Sequence, residues 1–108
     1  MGSGKQYSSD DHLEHTRIVE GLIHQSHAKR VLELGSGGGF NSRWLARRHP
    51  DVTFTGIDIS PSQVELARSF SRDIKNVLFR NGDITQLQVS SHAERYDLAF
   101  ETEACCYM

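Results

Sequence analysis

Between Leu34 and Phe40 the chain reads Gly35-Ser36-Gly37-Gly38-Gly39, a serine among four glycines, close behind Glu33. Glycine in an ordered loop gives up more conformational freedom than any other residue, so a cluster of four needs a reason. The usual reason is a tight turn whose backbone N–H groups meet a ligand. Three glycine-loop chemistries compete. Phosphate hydrolysis on a P-loop requires Gly-x-x-x-x-Gly-Lys followed by Ser or Thr, and no such lysine follows these glycines. A dinucleotide fingerprint requires Gly-x-Gly-x-x-Gly or Ala. Counted from Gly35 its third position is Phe40, and counted from Gly37 it is Ser42. What the stretch does fit is Glu-x-Gly-x-Gly-x-Gly, carried by Glu33, Gly35, Gly37 and Gly39.

Other reactive side chains are less organised. His12 and His15, and likewise His24 and His27, lie one helical turn apart. No cysteine or second histidine pair has ligand spacing with them, so no metal site is expected. Cys105 and Cys106 are adjacent, and a nucleophilic cysteine needs an activating base that the sequence does not supply. They read as small buried residues. Neighbouring cysteines bridge each other only with strain, which points to a reducing compartment, the cytoplasm.

The elements that must position the glycine loop follow from periodicity. A helix is expected over 11–28, capped by Ser9 or Asp10, with Ile18, Val19, Leu22 and Ile23 on its inner face. Arg30 to Leu34 is a buried strand that stops at the glycines. A helix over 40–49 turns Phe40, Trp44 and Leu45 inward and ends before Pro50. Val52 to Ile57 is a second strand. Ser60, Pro61 and Gln63 open a third helix as N-cap, first helical residue and capping-box partner, with Val64, Ala67 and Phe70 inside. Val77 to Phe79 is a third strand, followed by the turn Asn81-Gly82-Asp83. Residues 85–95 are irregular and polar, and Tyr96 to Phe100 is a fourth strand. This alternation predicts an α/β fold, a doubly wound parallel sheet with right-handed crossovers. In such sheets a ligand binds beyond the carboxyl ends of the strands, which is where the glycines fall.

On the spacing of Glu33, Gly35, Gly37 and Gly39 the sequence resembles the class I S-adenosylmethionine-dependent methyltransferases, whose first motif has this form. The likeness runs from about Arg30 to Phe100. It implies a Rossmann-like sheet with the four strands in the order 3-2-1-4, and S-adenosyl-L-methionine as cofactor with S-adenosyl-L-homocysteine as product. It assigns Asp58 to the ribose hydroxyls, with Ile59 packed on adenine, and Asp83, between Gly82 and Ile84, to the adenine amino group. Glu33 would supply negative charge near the α-ammonium group. Ser36, Asn41, Gln63 and Glu101 complete the implied cofactor set. A carboxylate at a strand end can accept two charge-assisted hydrogen bonds from a 1,2-diol, as this assignment requires. Taken singly, Asp58 and Asp83 are also ordinary cap and turn residues.

The implied reaction is methyl transfer to a small-molecule acceptor by in-line displacement. Length allows one small domain, 108 residues in all: a polar tail over 1–10 and a cofactor-binding domain over 11–108. Charged residues make up 24% with a net charge of -2, and the cations are scattered among acids, so no nucleic-acid partner is expected. No apolar run reaches the roughly 18–20 residues of a membrane span. Class I enzymes carry a seven-stranded sheet, so four strands predict an incomplete domain. Its open fourth strand would self-associate or recruit a complementary chain. The segment beyond it resembles the Glu-Ala-x-Cys-His stretch of sterol methyltransferases at Glu103, Ala104 and Cys106, with Tyr107 in place of the histidine. Glu103 is the one catalytic candidate there. Two other readings stay open: a non-catalytic module binding a nucleoside ligand or a partner, and a nicotinamide-dependent oxidoreductase with a variant glycine fingerprint.

Overall fold

Short runs rich in Val, Leu, Ile, Phe and Thr form the strands, and each is followed by a polar or glycine-containing break. The computed structural model describes residues 9–83 and 96–101, with side chains from residue 13 onward. Ile84, residues 85–95, Glu103, Cys105, Cys106 and the side chain of His12 lie outside the described residues. The elements are α1 (Ser9–Ser26), β1 (Arg30–Leu34), α2 (Phe40–Arg48), β2 (Thr53–Asp58), α3 (Pro61–Phe70), β3 (Val77–Asn81) and β4 (Leu98–Phe100). All pairings are parallel and the order is β3-β2-β1-β4, the order the family resemblance implied. β2 lies in the middle, with Phe54, Thr55, Gly56 and Ile57 all buried. A parallel strand covered on both faces has this continuous rather than alternating pattern.

Helix packing differs from the periodicity reading in three places. On α1 only Val19 and Ile23 of the four expected apolar residues are buried, whereas Ile18 is 59% and Leu22 44% exposed. The inner stripe is Thr16, Val19 and Ile23, because residues three and four apart share a helix face and adjacent ones diverge by about 100°. Phe40 on α2 is likewise half-exposed, while Leu45 and Ala46 carry that helix into the core and Trp44 is only partly buried. Phe70 on α3 is exposed too, and the Arg43 guanidinium stacks 5.0 Å from its ring centroid. Val64 and Ala67 alone face the core from α3, against Phe79 of β3.

Polar side chains fix the ends of elements. Asn76 Nδ2 reaches the carbonyls of Ala46, His49 and Val52 at 2.8–2.9 Å and closes the end of α2 against the start of β2. Asp97 Oδ2 accepts from the N–H groups of Lys29 and Arg30 at 2.8 and 2.9 Å. Those bonds, and the Asp97 N–H to Arg30 carbonyl bond at 2.7 Å, explain why β4 begins at Leu98 rather than Tyr96. β3 runs on to Asn81, two residues past the expected end, because Arg80 and Asn81 still pair with Ile57 and Asp58.

α1 ends in a Schellman motif: the Ala28 N–H reaches the Ile23 carbonyl and the His27 N–H the His24 carbonyl. The left-handed residue is His27, φ 57°, where glycine usually stands. Relief of about 1–2 kcal/mol of left-handed strain exceeds the roughly 0.5–1 kcal/mol of added chain entropy. His27→Gly should therefore raise unfolding free energy by about 0.5–1 kcal/mol in urea titrations.

The two backbone N–H groups on Asp97 hold its carboxyl below the usual range. A folded pKa below the unfolded one contributes stability in full above the unfolded value and loses it as pH falls through the folded value. Asp97→Asn should thus lower Tm at pH 7, and the gap to wild type should close as pH drops below about 3.9. A gap independent of pH would mean that the charge at Asp97 contributes nothing.

Candidate functional site

Register brings the candidate residues to one edge. Leu34 pairs with Ile57, Asp58 with Asn81 and Glu33 with Phe100, so β1, β2, β3 and β4 end side by side. Asp58 is the last residue of β2, and the glycine loop, Ile59, Gly82 and Asp83, and Glu101 follow the strand ends directly. This is the carboxyl edge, where parallel sheets take their ligands.

The loop is tied down by its own backbone. The N–H groups of Gly35 and Ser36 both donate to the Ile57 carbonyl, at 2.8 and 3.0 Å, and the Gly39 N–H donates to the Ser36 carbonyl at 2.9 Å. The Gly37 N–H donates to Asp58 Oδ1 at 3.1 Å, and the Ser60 N–H to Asp58 Oδ2 at 3.1 Å. Asp58 thus holds the loop and starts α3 at once. Ser60 Oγ accepts from the Gln63 N–H at 3.3 Å, so the helix is capped as expected. The reciprocal half of the capping box is replaced: Asp58, not Gln63, takes the Ser60 N–H.

The glycines divide into two kinds. Gly35, Gly37 and Gly39 all have positive φ, at 67°, 55° and 84°, which favours glycine at each. A Cβ on Gly35 would meet nothing within 4 Å, and one on Gly37 only Gln63 Oε1 at 3.7 Å. One on Gly39 would stand 2.5 Å from Phe79 Cζ and 3.0 Å from Ala67 Cβ. The first two keep open space above the loop; Gly39 lets α2 close on β3. Gly56 in β2 has the same packing role, since a Cβ there would meet Phe79 and Ser36 at 2.7 Å. An isolated glycine inside a strand signals such a close approach. The sequence reading passed over it.

Beneath the loop lies a buried carboxylate. Glu33 is 1% exposed; Oε1 accepts from Ser42 Oγ at 2.7 Å and Oε2 from Asn41 Nδ2 at 3.1 Å. Asn41 Oδ1 in turn accepts from Thr16 Oγ1 of α1 at 2.7 Å. Thr16 and Ser42 were missed from sequence, although a buried acid before a glycine loop calls for donors in the next helix turn. Ser36 Oγ is buried with no hydrogen-bond partner among the described residues. A buried hydroxyl without a partner is costly.

A cleft of about 300 Å³ opens over these atoms. It gathers seven of the sequence candidates: Glu33, Gly35, Ser36, Gly37, Gly39, Asn41 and Gln63. Phe40, Leu66 and Phe70 give it an apolar rim, and Arg43 crosses it with Nη2 donating to the Gly38 carbonyl at 3.2 Å. Burial, aided by the neighbouring Arg47 charge, pulls the Arg43 guanidinium below its usual pKa. Asp58, Ile59, Gly82, Asp83 and Glu101 lie along the same edge but do not line this cleft. Ile59 is 66% exposed, an apolar side chain with little protein cover. Asp58 and Asp83 are half-buried, and the carbonyl of Asp58 takes the Gly82 N–H at 2.9 Å.

Residues 25–108 match the family model described as methyltransferase domain. The chain is 32% identical over 88 residues, 82% of its length, to trans-aconitate 2-methyltransferase of Deinococcus radiodurans, and covers 31% of that protein. It is 34% identical over 80 residues to ribosomal RNA small subunit methyltransferase G of Chlorobium phaeobacteroides, covering 71% of this chain and 36% of that one. Among solved structures it is similar to PKMT2 from Rickettsia typhi in complex with AdoHcy, with 32% identity and a TM-score of 0.53. That match covers 56% of this chain and 12% of the other. The chain therefore spans between about a quarter and a third of the length of the curated relatives it matches.

The two kinds of glycine make separable predictions. Gly39→Ala adds about 1–2 kcal/mol of left-handed strain to an overpacking cost of about 1–3 kcal/mol against Phe79. A loss of about 2–5 kcal/mol in chemical unfolding is expected, and a fully stable variant would refute the packing role.

Proposed function

This chain belongs to the methyltransferase-domain family, and on that premise we propose that its glycine loop binds S-adenosyl-L-methionine for methyl transfer to a small-molecule acceptor. The observation that carries the reading is the open space over Gly35 and Gly37 in a cleft lined by the glycine loop, which also holds the orphaned, buried Ser36 Oγ. A ligand with polar groups and a close-fitting backbone contact satisfies both. When bound, S-adenosyl-L-methionine supplies a methyl group already activated on a sulfonium.

The chain's own groups then bind and orient. Asp58 has one N–H on each carboxylate oxygen, which leaves each oxygen a further acceptor site for a ribose hydroxyl. Exposed Ile59 offers an apolar surface for the adenine ring, and Asp83 a carboxylate for its amino group. Glu33 places negative charge under the loop, on the side assigned to the α-ammonium group, held by Asn41 and Ser42. Gln63 Oε1 lies close to Gly37 and borders the same space. In-line displacement then needs chiefly proximity and alignment, with a general base only where the acceptor must lose a proton. A small acceptor is favoured over nucleic acid by the net charge of -2 and the scattered cations.

Two substitutions test the site by calorimetry with S-adenosyl-L-homocysteine. Asp58→Asn keeps an acceptor for the Gly37 N–H, turns an amide donor toward the Ser60 N–H and removes the charge, and should weaken binding by about 1.5–3 kcal/mol, roughly 10–150-fold. An unchanged Kd in a folded variant would rule out the ribose role. Gly37→Val places a branched side chain in the open space at a disfavoured φ, and should abolish binding at a cost of about 1–2 kcal/mol in stability. Normal binding by the valine variant would leave the loop as a turn only. Transfer of a labelled methyl group to candidate acids and to RNA separates the acceptor classes.

A further inference from the structure

At the opposite end of α2 from the glycine loop, three side chains from two helices converge. Glu20 and His24 are four residues apart on α1 and so share a face. His49 is the C-cap residue of α2. His49 Nε2 lies 2.6 Å from Glu20 Oε2, and the His24 and His49 rings meet edge to face with centroids 5.3 Å apart. One ligand-type atom from each of the three lies within 4.8 Å of the others. Two imidazoles and one carboxylate form a donor set suited to zinc-class ions.

We propose that Glu20, His24 and His49 bind a divalent transition-metal ion of the zinc class, which clips the C-terminal end of α2 to α1. Tetrahedral ligand atoms about 2.1 Å from a zinc ion lie roughly 3.4 Å apart, so His24 closes in by at most about 1.4 Å and the His49–Glu20 pair opens by about 0.8 Å. His24 is exposed and supplies it by rotamer change. The other two ligands are already held. The His49 carbonyl is fixed by Asn76 Nδ2 at 2.9 Å and by the Val52 N–H at 3.0 Å. Arg48 Nε donates to Glu20 Oε2 at 2.8 Å, and its guanidinium lies over the Trp44 ring at 4.6 Å. An outer partner of that kind orients a ligating carboxylate. The metal takes the place of the hydrogen between His49 and Glu20, and a water fills the fourth position.

The nine residues of α2 put this cluster about 13 Å from the glycine loop. Its role is therefore structural. A metal bound only in the folded state stabilises that state by mass action. The full chain, stripped with EDTA, is titrated with zinc chloride by calorimetry and followed by thermal unfolding. One equivalent should bind and raise Tm, and His24→Ala should weaken binding more than about tenfold while leaving the metal-free Tm near wild type. Cobalt(II) in place of zinc should show tetrahedral visible bands without thiolate charge transfer. Wild-type affinity in the His24→Ala variant, no zinc-dependent rise in Tm, or a thiolate band from Cys105 or Cys106 would each overturn the assignment.

Discussion

A carboxylate taken out of water costs several kcal/mol unless nearby donors replace its hydration, and Glu33 is buried to 1% exposure at the fourth position of β1. Its donors come from Asn41 and Ser42 in the first turn of α2, and Asn41 accepts from Thr16 of α1. One charge therefore fixes three elements relative to one another. The glycine loop joins the strand that carries the charge to the helix that satisfies it, so its two ends are held before any ligand arrives. With both ends fixed, the chain must turn in five residues, and it does so by three left-handed glycines. Side chains at those positions would be strained whatever occupied the cleft.

The same constraint explains why the glycines have different tasks. Holding α2 down on the sheet brings its N-cap residue, Gly39, against β3, and Gly39 and Gly56 are the two glycines whose backbone meets the Phe79 ring. Gly35 and Gly37 face no such neighbour and keep the upper surface of the loop clear. A motif with one spacing thus serves two ends: packing on the sheet side, access on the other. Spacing alone does not distinguish them, because the distinction depends on a phenylalanine forty residues later.

What was legible in the sequence is what local rules decide. The four strands, the three helices and their order follow from apolar runs, the Ser60-Pro61 start and the glycine stop after Leu34. The place of Asp58 was legible because it closes a buried strand ahead of a capped helix. Less legible were matters that depend on which helix face turns inward. Ile18, Leu22, Phe40 and Phe70 fit an apolar period yet are largely exposed, because the short sheet offers each helix only a narrow stripe. Ser42 was legible only as one possible donor in the helix turn after the loop, and Thr16 not at all: its hydroxyl meets Asn41 only once α1 is docked. Glu20, His24 and His49 meet for the same reason, across a span in which the histidine spacings along the chain gave no such grouping.

Asp58 carries the last link between fold and site. Its Oδ1 holds the Gly37 N–H and its Oδ2 the Ser60 N–H, so the carboxylate spans the glycine loop and the start of α3. Its carbonyl takes the Gly82 N–H and Asn81 Nδ2, which ties in the end of β3 as well. A ligand that draws on this carboxylate meets a group already aligned by three elements, and little ordering is left to be done on binding. That preorganisation carries a condition. Any change at Asp58 acts on the loop, the α3 cap and the ligand together, so only a substitution that preserves the acceptor geometry separates the role in binding from the role in the fold.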